Sequence, residues 1–238
     1  VSLGLTVFER TAKGMVATSS GEQLLGYATK MLDLNDEAVG RLTSVDYEGQ
    51  LRLGVPSDVL YPHMPDILKQ FNRDYPRVQI KLSCTQSKVL KQQFNQGLLD
   101  VILTTEKNPE GDGQVIGTQR LIWTGAEDGN AWKQRPLPMG MSKNCAFWPS
   151  AIKALDGASV DWVSLVTTDD YTAAEAMTAA DLCVCVELGC ALITGRVPVD
   201  HRGLLPELPD YSIVVYGAEN SSTSMVKELV NYLQRGYA

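Results

Sequence analysis

Between residues 48 and 104 the apolar residues change period repeatedly, and this switching constrains the fold more than any other feature of the chain. Leu51, Leu53 and Val55 alternate as in a strand. Pro65 sits like an N1 proline, and Ile67, Leu68, Phe71 and Tyr75 follow at helical spacing until Pro76. Val78, Ile80 and Leu82 alternate again. Ser87 is placed to cap a helix carrying Val89, Leu90 and Phe94, with Gly97 as its C′ residue. Asp100 then leads into a nearly continuous apolar strand, 101–104. A β-α-β-α-β order predicts a parallel sheet with right-handed crossovers.

A second α/β lobe is expected downstream. Residues 108–113 read as a loop, 115–125 as extended, 150–155 as a helix and 162–166 as a strand. A helix over 173–180 capped by Thr168, Asp169 or Asp170, buried strands over 182–188 and 211–216, and a final helix over 223–234 complete the pattern. Upstream, residues 19–45 predict one long helix opened by a Ser19-x-x-Glu22 capping box. Leu24, Ala28, Met31, Asn35, Ala38 and Leu42 recur along it as a heptad seam, which is the pattern of a dimerisation helix. An amphipathic helix packed on its own domain would show the same stripe. Residues 1–18 hold an apolar cluster, a turn at Lys13-Gly14 and a short β-prone piece, too little to fold alone.

The 238 residues suit one to two domains and a sizeable core. Lys and Arg number 21 against 28 Asp and Glu, a net charge of −7, which argues against a surface that wraps nucleic acid or anionic lipid throughout. Residues 1–18 carry +1, leaving −8 on the remainder. No run of about 18 apolar residues is present, and no signal peptide is visible at the start, so a cytoplasmic protein without membrane contact is expected. Cys84, Cys145, Cys183, Cys185 and Cys190 are odd in number and irregularly spaced, and read as reduced thiols.

Catalytic signals are thin. The common nucleotide-binding, zinc-protease and nucleophile-elbow motifs are missing, and His63 and His201 stand alone in loop-like contexts. Cys183, Cys185 and Cys190 lack the paired spacing of a zinc site, and Cys183 and Cys185 read as small core residues. No enzyme, metal or cofactor is therefore expected. Binding signals are stronger, because ligands of open α/β lobes sit beyond the carboxyl ends of parallel strands. Those positions here carry Ser57, Asp58, Gln86, Ser87, Thr104 and Thr105, and the second lobe offers residues 145–150 and 167–172, including Cys145, Phe147 and Thr168. Each alone could be an ordinary cap; their convergence on one cleft is what points to a ligand. Asp58 disfavours an anion unless it is neutralised or accepts from the ligand.

Val7-Phe8-Glu9-Arg10, Gly14 and Thr18-Ser19-Ser20-Gly21 are similar to the end of the winged helix-turn-helix of LysR-type transcriptional regulators. Gly49-Gln50-Leu51-Arg52-Leu53-Gly54, Pro65-x-x-Leu68-x-x-Phe71, Tyr75-Pro76-x-Val78 and Gly97-x-Leu99-Asp100-Val101 continue the likeness over about the first 105 residues. Within the family the resemblance runs toward the LrhA/HexA-like branch. It implies an α/β fold with a two-lobed, type II periplasmic-binding-protein-like effector domain, preceded by a long linker helix and a remnant of a winged helix-turn-helix. The implied domains are a wing remnant (1–18), a linker and dimerisation helix (19–47) and an effector-binding domain (48–238). Lobe I would span 49–120 plus 215–238, and lobe II 121–214.

The resemblance further implies an effector cleft between the lobes. Asp58 stands there where relatives often carry Ser or Thr, and Ser87 falls on a comparable position. It implies a homodimer or homotetramer, promoter DNA as partner through an N-terminal domain mostly outside this chain, and RNA polymerase as a further partner. Arg10 and Lys13 would touch the DNA backbone. Competing readings are a transporter's solute-binding protein, a regulator sensing redox state through its cysteines, and an α/β enzyme using Asp58 or Cys145.

Overall fold

The computed structural model describes residues 4–11, 14–43, 49–167, 171–190, 195–217 and 224–237, with the side chains of 33, 36–43 and 224 also outside the description. Strands β1 (Phe8–Thr11) and β2 (Gly14–Ala17) form an antiparallel hairpin with Arg10 opposite Met15. Helix α1 (Ser19–Thr43) follows. The capping box does not form. Thr18 stands before the first helical residue, and its Oγ1 accepts from the Gly21 amide at 3.1 Å while donating to the Thr6 carbonyl at 2.6 Å. The cap is one residue earlier than Ser19, so Glu22 lies beyond the N3 position that a box requires.

The body begins with β3 (Gly49–Val55), α2 (Met64–Asp74), β4 (Val78–Cys84), α3 (Ser87–Asn95) and β5 (Val101–Glu106). Strand β3 runs parallel to both β4 and β5, as the switching period predicts. The chain continues through β6 (Gln114–Gly125), β7 (Leu137–Met139), α4 (Trp148–Gly157), β8 (Trp162–Ser164) and α5 (Tyr171–Ala179). It ends with β9 (Cys185–Leu188), β10 (Val197–Pro198), β11 (Asp210–Gly217) and α6 (Ser224–Tyr237). Strand β11 inserts antiparallel between β5 and the first half of β6, extending the first sheet to β4-β3-β5-β11-β6.

Strand β6 belongs to both lobes. Up to Arg120 it pairs with β11; from Leu121 it pairs with β9, and at its end with β10. In the second lobe β7 runs parallel to β8, and Met139 bridges in parallel to Val184 beside β9. The return to the first lobe differs from the expected boundary at 215. All of β11 from Asp210 pairs within the first sheet, because its partners Thr104, Thr105 and Arg120 all lie there.

Two apolar layers hold the first lobe. Leu51, Leu53, Val101 and Leu103 pack with Ile67 and Phe71 of α2 and Leu229 and Leu233 of α6. On the other face Ile102 packs with Leu90 and Leu99. Gly54 lets α3 approach this closely, since a Cβ there would lie 2.7 Å from Leu90 Cδ2 and Leu99 Cδ1. Gly97 closes α3 with φ of +71°, the left-handed value expected of a C′ residue. Arg52 and Asp100, both in the motifs quoted above, form a fork-like ion pair with contacts of 2.7 and 3.1 Å, and Asp100 also accepts from the Arg52 amide at 2.8 Å. Side chain and backbone together lock β3 to the start of β5.

Candidate functional site: the cleft between the lobes

Where the carboxyl ends of β3, β4 and β5 face the second lobe, a cavity of about 100 Å³ opens. Its first-lobe wall is made by Pro56, Ser57, Asp58, Thr85, Gln86, Ser87 and Thr105. The opposite wall comes from Gly140, Met141 and Ser142 after β7, Cys145 and Phe147 before α4, Val166 after β8, Tyr171 and Ala174 of α5, and Cys185, Val186 and Glu187 of β9. The first wall is hydroxyl- and carboxyl-rich, the second mostly apolar.

Seven of the residues named from sequence line this cavity: Ser57, Asp58, Gln86, Ser87, Thr105, Cys145 and Phe147. Thr104 does not. It is fully buried on the opposite face of β5, where its hydroxyl donates to Glu106 Oε1 at 2.6 Å. Its neighbour Thr105 takes the place, because adjacent strand residues point to opposite faces. Thr168 and Lys13 lie outside the described residues, as do Asp169 and Asp170. Ser87 is not a helix cap either. Gln86 holds the N-cap position, while Ser87 Oγ accepts from the Thr105 amide at 3.0 Å and pairs with Thr105 Oγ1 at 3.1 Å.

Of the second-lobe wall, the expected stretches 145–150 and 167–172 supply Cys145, Ala146, Phe147 and Tyr171, whereas Gly140, Met141, Ser142, Val166, Ala174 and the residues of β9 were not expected. Phe147 is held edge-on to Tyr211 with ring centroids 5.2 Å apart, and Tyr211 bonds Ser150 and the Ala146 carbonyl. Alternation along β9 turns Cys185 and Glu187 to one face; only the pairing of β9 with β6 decides which face that is. Of the two expected threonines, alternation along β5 lets only one face the cleft, and that one is Thr105.

Burial dominates the electrostatics. It pushes the Asp58 carboxyl up to about 6 from 3.8, with the Thr105 hydroxyl acting in the opposite direction. Asp58 Oδ2 is buried and has no hydrogen-bond partner among the described residues. Glu187 is 2% exposed and is also pushed up by burial, while Tyr171 and Arg196 pull it down. Tyr171 donates to Glu187 Oε1 at 2.5 Å, and Arg196 reaches the same oxygen at 3.1 Å and Glu175 at 2.7 Å. Burial raises the thiol of Cys145 to about 11 and that of Cys185 well above 9. Cys84, Cys183 and Cys190 shift upward as well. Raised values favour the unreactive thiol over the thiolate. Among the described residues no group of His, Cys, Asp and Glu could hold a metal ion, and no helix is long and apolar enough to cross a membrane.

A second structural zone is the exposed stripe of α1. Leu24, Leu25, Met31, Leu32 and Leu34 are 43% to 66% exposed, and Asn35 is exposed while Ala28 is half-buried. The side chains of Ala38 and Leu42 lie outside the described residues. The helix meets the body through its small residues: a Cβ on Gly26 would lie 2.6 Å from the Gln96 carbonyl oxygen. Arg10 is exposed on the hairpin.

The family model for the LysR substrate binding domain matches residues 45–237. The chain belongs to the LysR family. The regulator PecT of Dickeya dadantii is 26% identical over 211 residues, which cover 87% of this chain and 66% of PecT. The effector binding domain of QuiR, solved in complex with shikimate, superposes with a TM-score of 0.62 at 10% identity, covering 79% of this chain and 96% of that one. Full-length CbnR, solved with its target DNA, gives 0.62 at 16% identity over 98% of this chain and 85% of CbnR. These solved structures share the two-lobed α/β fold, type II periplasmic-binding-protein-like, of LysR effector domains. The family is one of transcriptional regulators and not of enzymes. The chain spans about half to two thirds of the length of the curated relatives DgdR and PecT, and no branch within the family is singled out.

Proposed function

We propose that this chain is the sensing and assembly part of a LysR-type transcriptional regulator, whose inter-lobe cavity binds a small effector and biases an oligomer on promoter DNA. The observation that carries this reading is the cavity at the strand ends, walled by one lobe on each side. A ligand touching both walls favours one arrangement of the lobes over another, which is the differential affinity that regulation needs. The complexes of QuiR with shikimate and of CbnR with DNA support the two kinds of partner.

In the same reading, residues 1–18 are the wing remnant of a DNA-binding domain, and Arg10 and Lys13 contact phosphate without reading sequence. The apolar stripe of α1 docks on a second copy, giving a dimer or, through the effector domains, a tetramer. RNA polymerase is a further partner, and the protein works in the cytoplasm. A thermal-shift screen of metabolites tests the central claim, because a ligand that binds only the folded state raises the melting temperature. If no ligand of any class stabilises the chain, the sensing role falls.

A further inference from the structure

Two carboxylates, one from each lobe, line the cleft and specify an effector chemistry. Asp58 comes from the first lobe and Glu187 from the second, and both line the cavity. Asp58 Oδ2 and Glu187 Oε2 are each buried without a hydrogen-bond partner among the described residues, as are Thr124 Oγ1 and Arg196 Nε and Nη1. Thr124 and Arg196 both act on the Glu187 carboxyl, which leaves Asp58 as the carboxylate without a neighbouring cation. An unmatched buried acceptor of this kind costs about 1–3 kcal/mol, more when charged, until a donor arrives. No lysine, arginine or histidine lines the cavity. The undescribed segments next to α5 and β9, residues 168–170 and 191–194, contain no basic residue. Arg196 stands behind Glu187, on Oε1 and on Glu175, and is outside the lining. Lys143 adjoins the lining residue Ser142 but is exposed and outside the lining.

Resting on the effector-site reading above, we propose that the cleft takes a compact organic ammonium ion, whose N–H groups fill the open acceptors of Asp58 and Glu187. Phe147 and Tyr171 supply aromatic surface, which suits a cation or the hydrocarbon beside it. A carboxylate ligand would meet the Asp58 carboxylate with no cation in the lining to receive it, since Arg196 lies behind Glu187 and is paired with Glu187 and Glu175, and Coulomb repulsion there is only weakly screened. The small cavity limits the ligand to a few heavy atoms beyond the amine unless the lobes part.

Binding should depend on pH. The titratable groups facing Asp58 are Cys84, Cys145, Cys190 and Tyr237, with His63 behind Tyr237 at 5.2 Å between rings. The three thiols and the Tyr237 phenol are all pushed up by burial, so they stay neutral near pH 6 while Asp58 ionises. Across the cavity Glu187 faces Tyr171, Arg196, Glu175 and Cys185. Ammonium affinity should therefore fall as pH drops through about 6, by roughly tenfold per unit below it for one proton taken up.

The test is calorimetry and thermal shift on the 238-residue chain with propylammonium and benzylammonium, against propionate, benzoate, propanol and benzyl alcohol, at pH 7.5 and 5. The expected result is that only the ammonium probes bind, more weakly at pH 5. Asp58→Asn should weaken them at least tenfold at pH 7.5 while the melting temperature holds or rises, and Glu187→Gln should weaken them as well. Preferred binding of a carboxylate or alcohol that a filling variant, Ser57→Trp, abolishes overturns the ammonium assignment and leaves the effector cleft standing. Ammonium binding indifferent to both Asp58→Asn and Glu187→Gln overturns it too. If no probe binds at millimolar concentration, the ammonium assignment falls, and the metabolite screen above decides the cleft itself.

Discussion

Helices α1 and α2 carry apolar residues at the same helical spacing, yet they meet opposite fates. In α2, Met64, Ile67 and Phe71 are buried, with Phe71 wedged between Tyr75 and Tyr232 of α6. In α1, Leu24, Met31 and Leu32 stay exposed, and the contact with the body runs through Gly26. The period of the pattern is a local property, but burial needs a partner surface. For α2 that surface is the sheet and α6; among the described residues Leu24, Leu25, Met31, Leu32 and Leu34 of α1 remain exposed. An amphipathic stripe therefore reports that a partner exists and leaves open whether it lies in the same molecule.

The contrast can be broken by measurement, beginning with the largest effect. Phe71→Ala should destabilise the body by about 3–5 kcal/mol in urea unfolding, because a fully buried ring leaves a cavity. A loss below about 1 kcal/mol would mean that α2 is no better anchored than α1. Asp58→Asn tests whether the cleft is built at the expense of stability. Its folded-state carboxyl is raised to about 6 from 3.8, so the native state holds the proton more tightly and stability is lost as pH rises from about 4 through 6. The amide should then stabilise the ligand-free chain at pH 7.5 by up to about 3 kcal/mol, at 1.36 kcal/mol per pH unit, and by nothing below pH 4. An equal effect at both pH values would exclude the burial of this carboxylate as the cause.

Asp100→Ala removes the fork to Arg52 and should cost about 2 kcal/mol, the range for hydrogen bonds to charged groups. Thr18→Ala removes the cap of α1 and should cost about 1 kcal/mol, visible as lost helicity of the N-terminal arm while the melting of the body is unchanged. Met31→Lys should change the stability of an isolated chain by less than about 0.5 kcal/mol, since the side chain is already exposed. In sedimentation the same variant should shift the assembly toward smaller species. An unchanged sedimentation profile would sink the proposed docking of α1 on a second copy.

The element order from β3 to β5 was legible because Leu51, Leu53 and Val55 obey one period and Ile67, Leu68 and Phe71 another. Capping was less legible: Ser19 and Ser87 have the right chemistry, but Thr18 and Gln86 occupy the positions. A cap is decided by where the backbone turns, and neighbouring hydroxyl residues compete for that place. The cleft was half legible. Junctions after parallel strands reveal Ser57, Asp58 and Ser87, whereas Cys185 and Glu187 reach the cavity only because β6 crosses between the lobes and pairs with β9.

The chain by itself determined its α/β alternation, its parallel core and its family, since each is written in local period or contiguous motif. The tertiary structure decided which face each strand turns to the cleft, selecting Thr105 over Thr104 and bringing Glu187 into the same cavity as Asp58. Those outcomes depend on strand pairing across long separations, and pairing register is set by the packing of whole lobes rather than by any residue's neighbours in sequence.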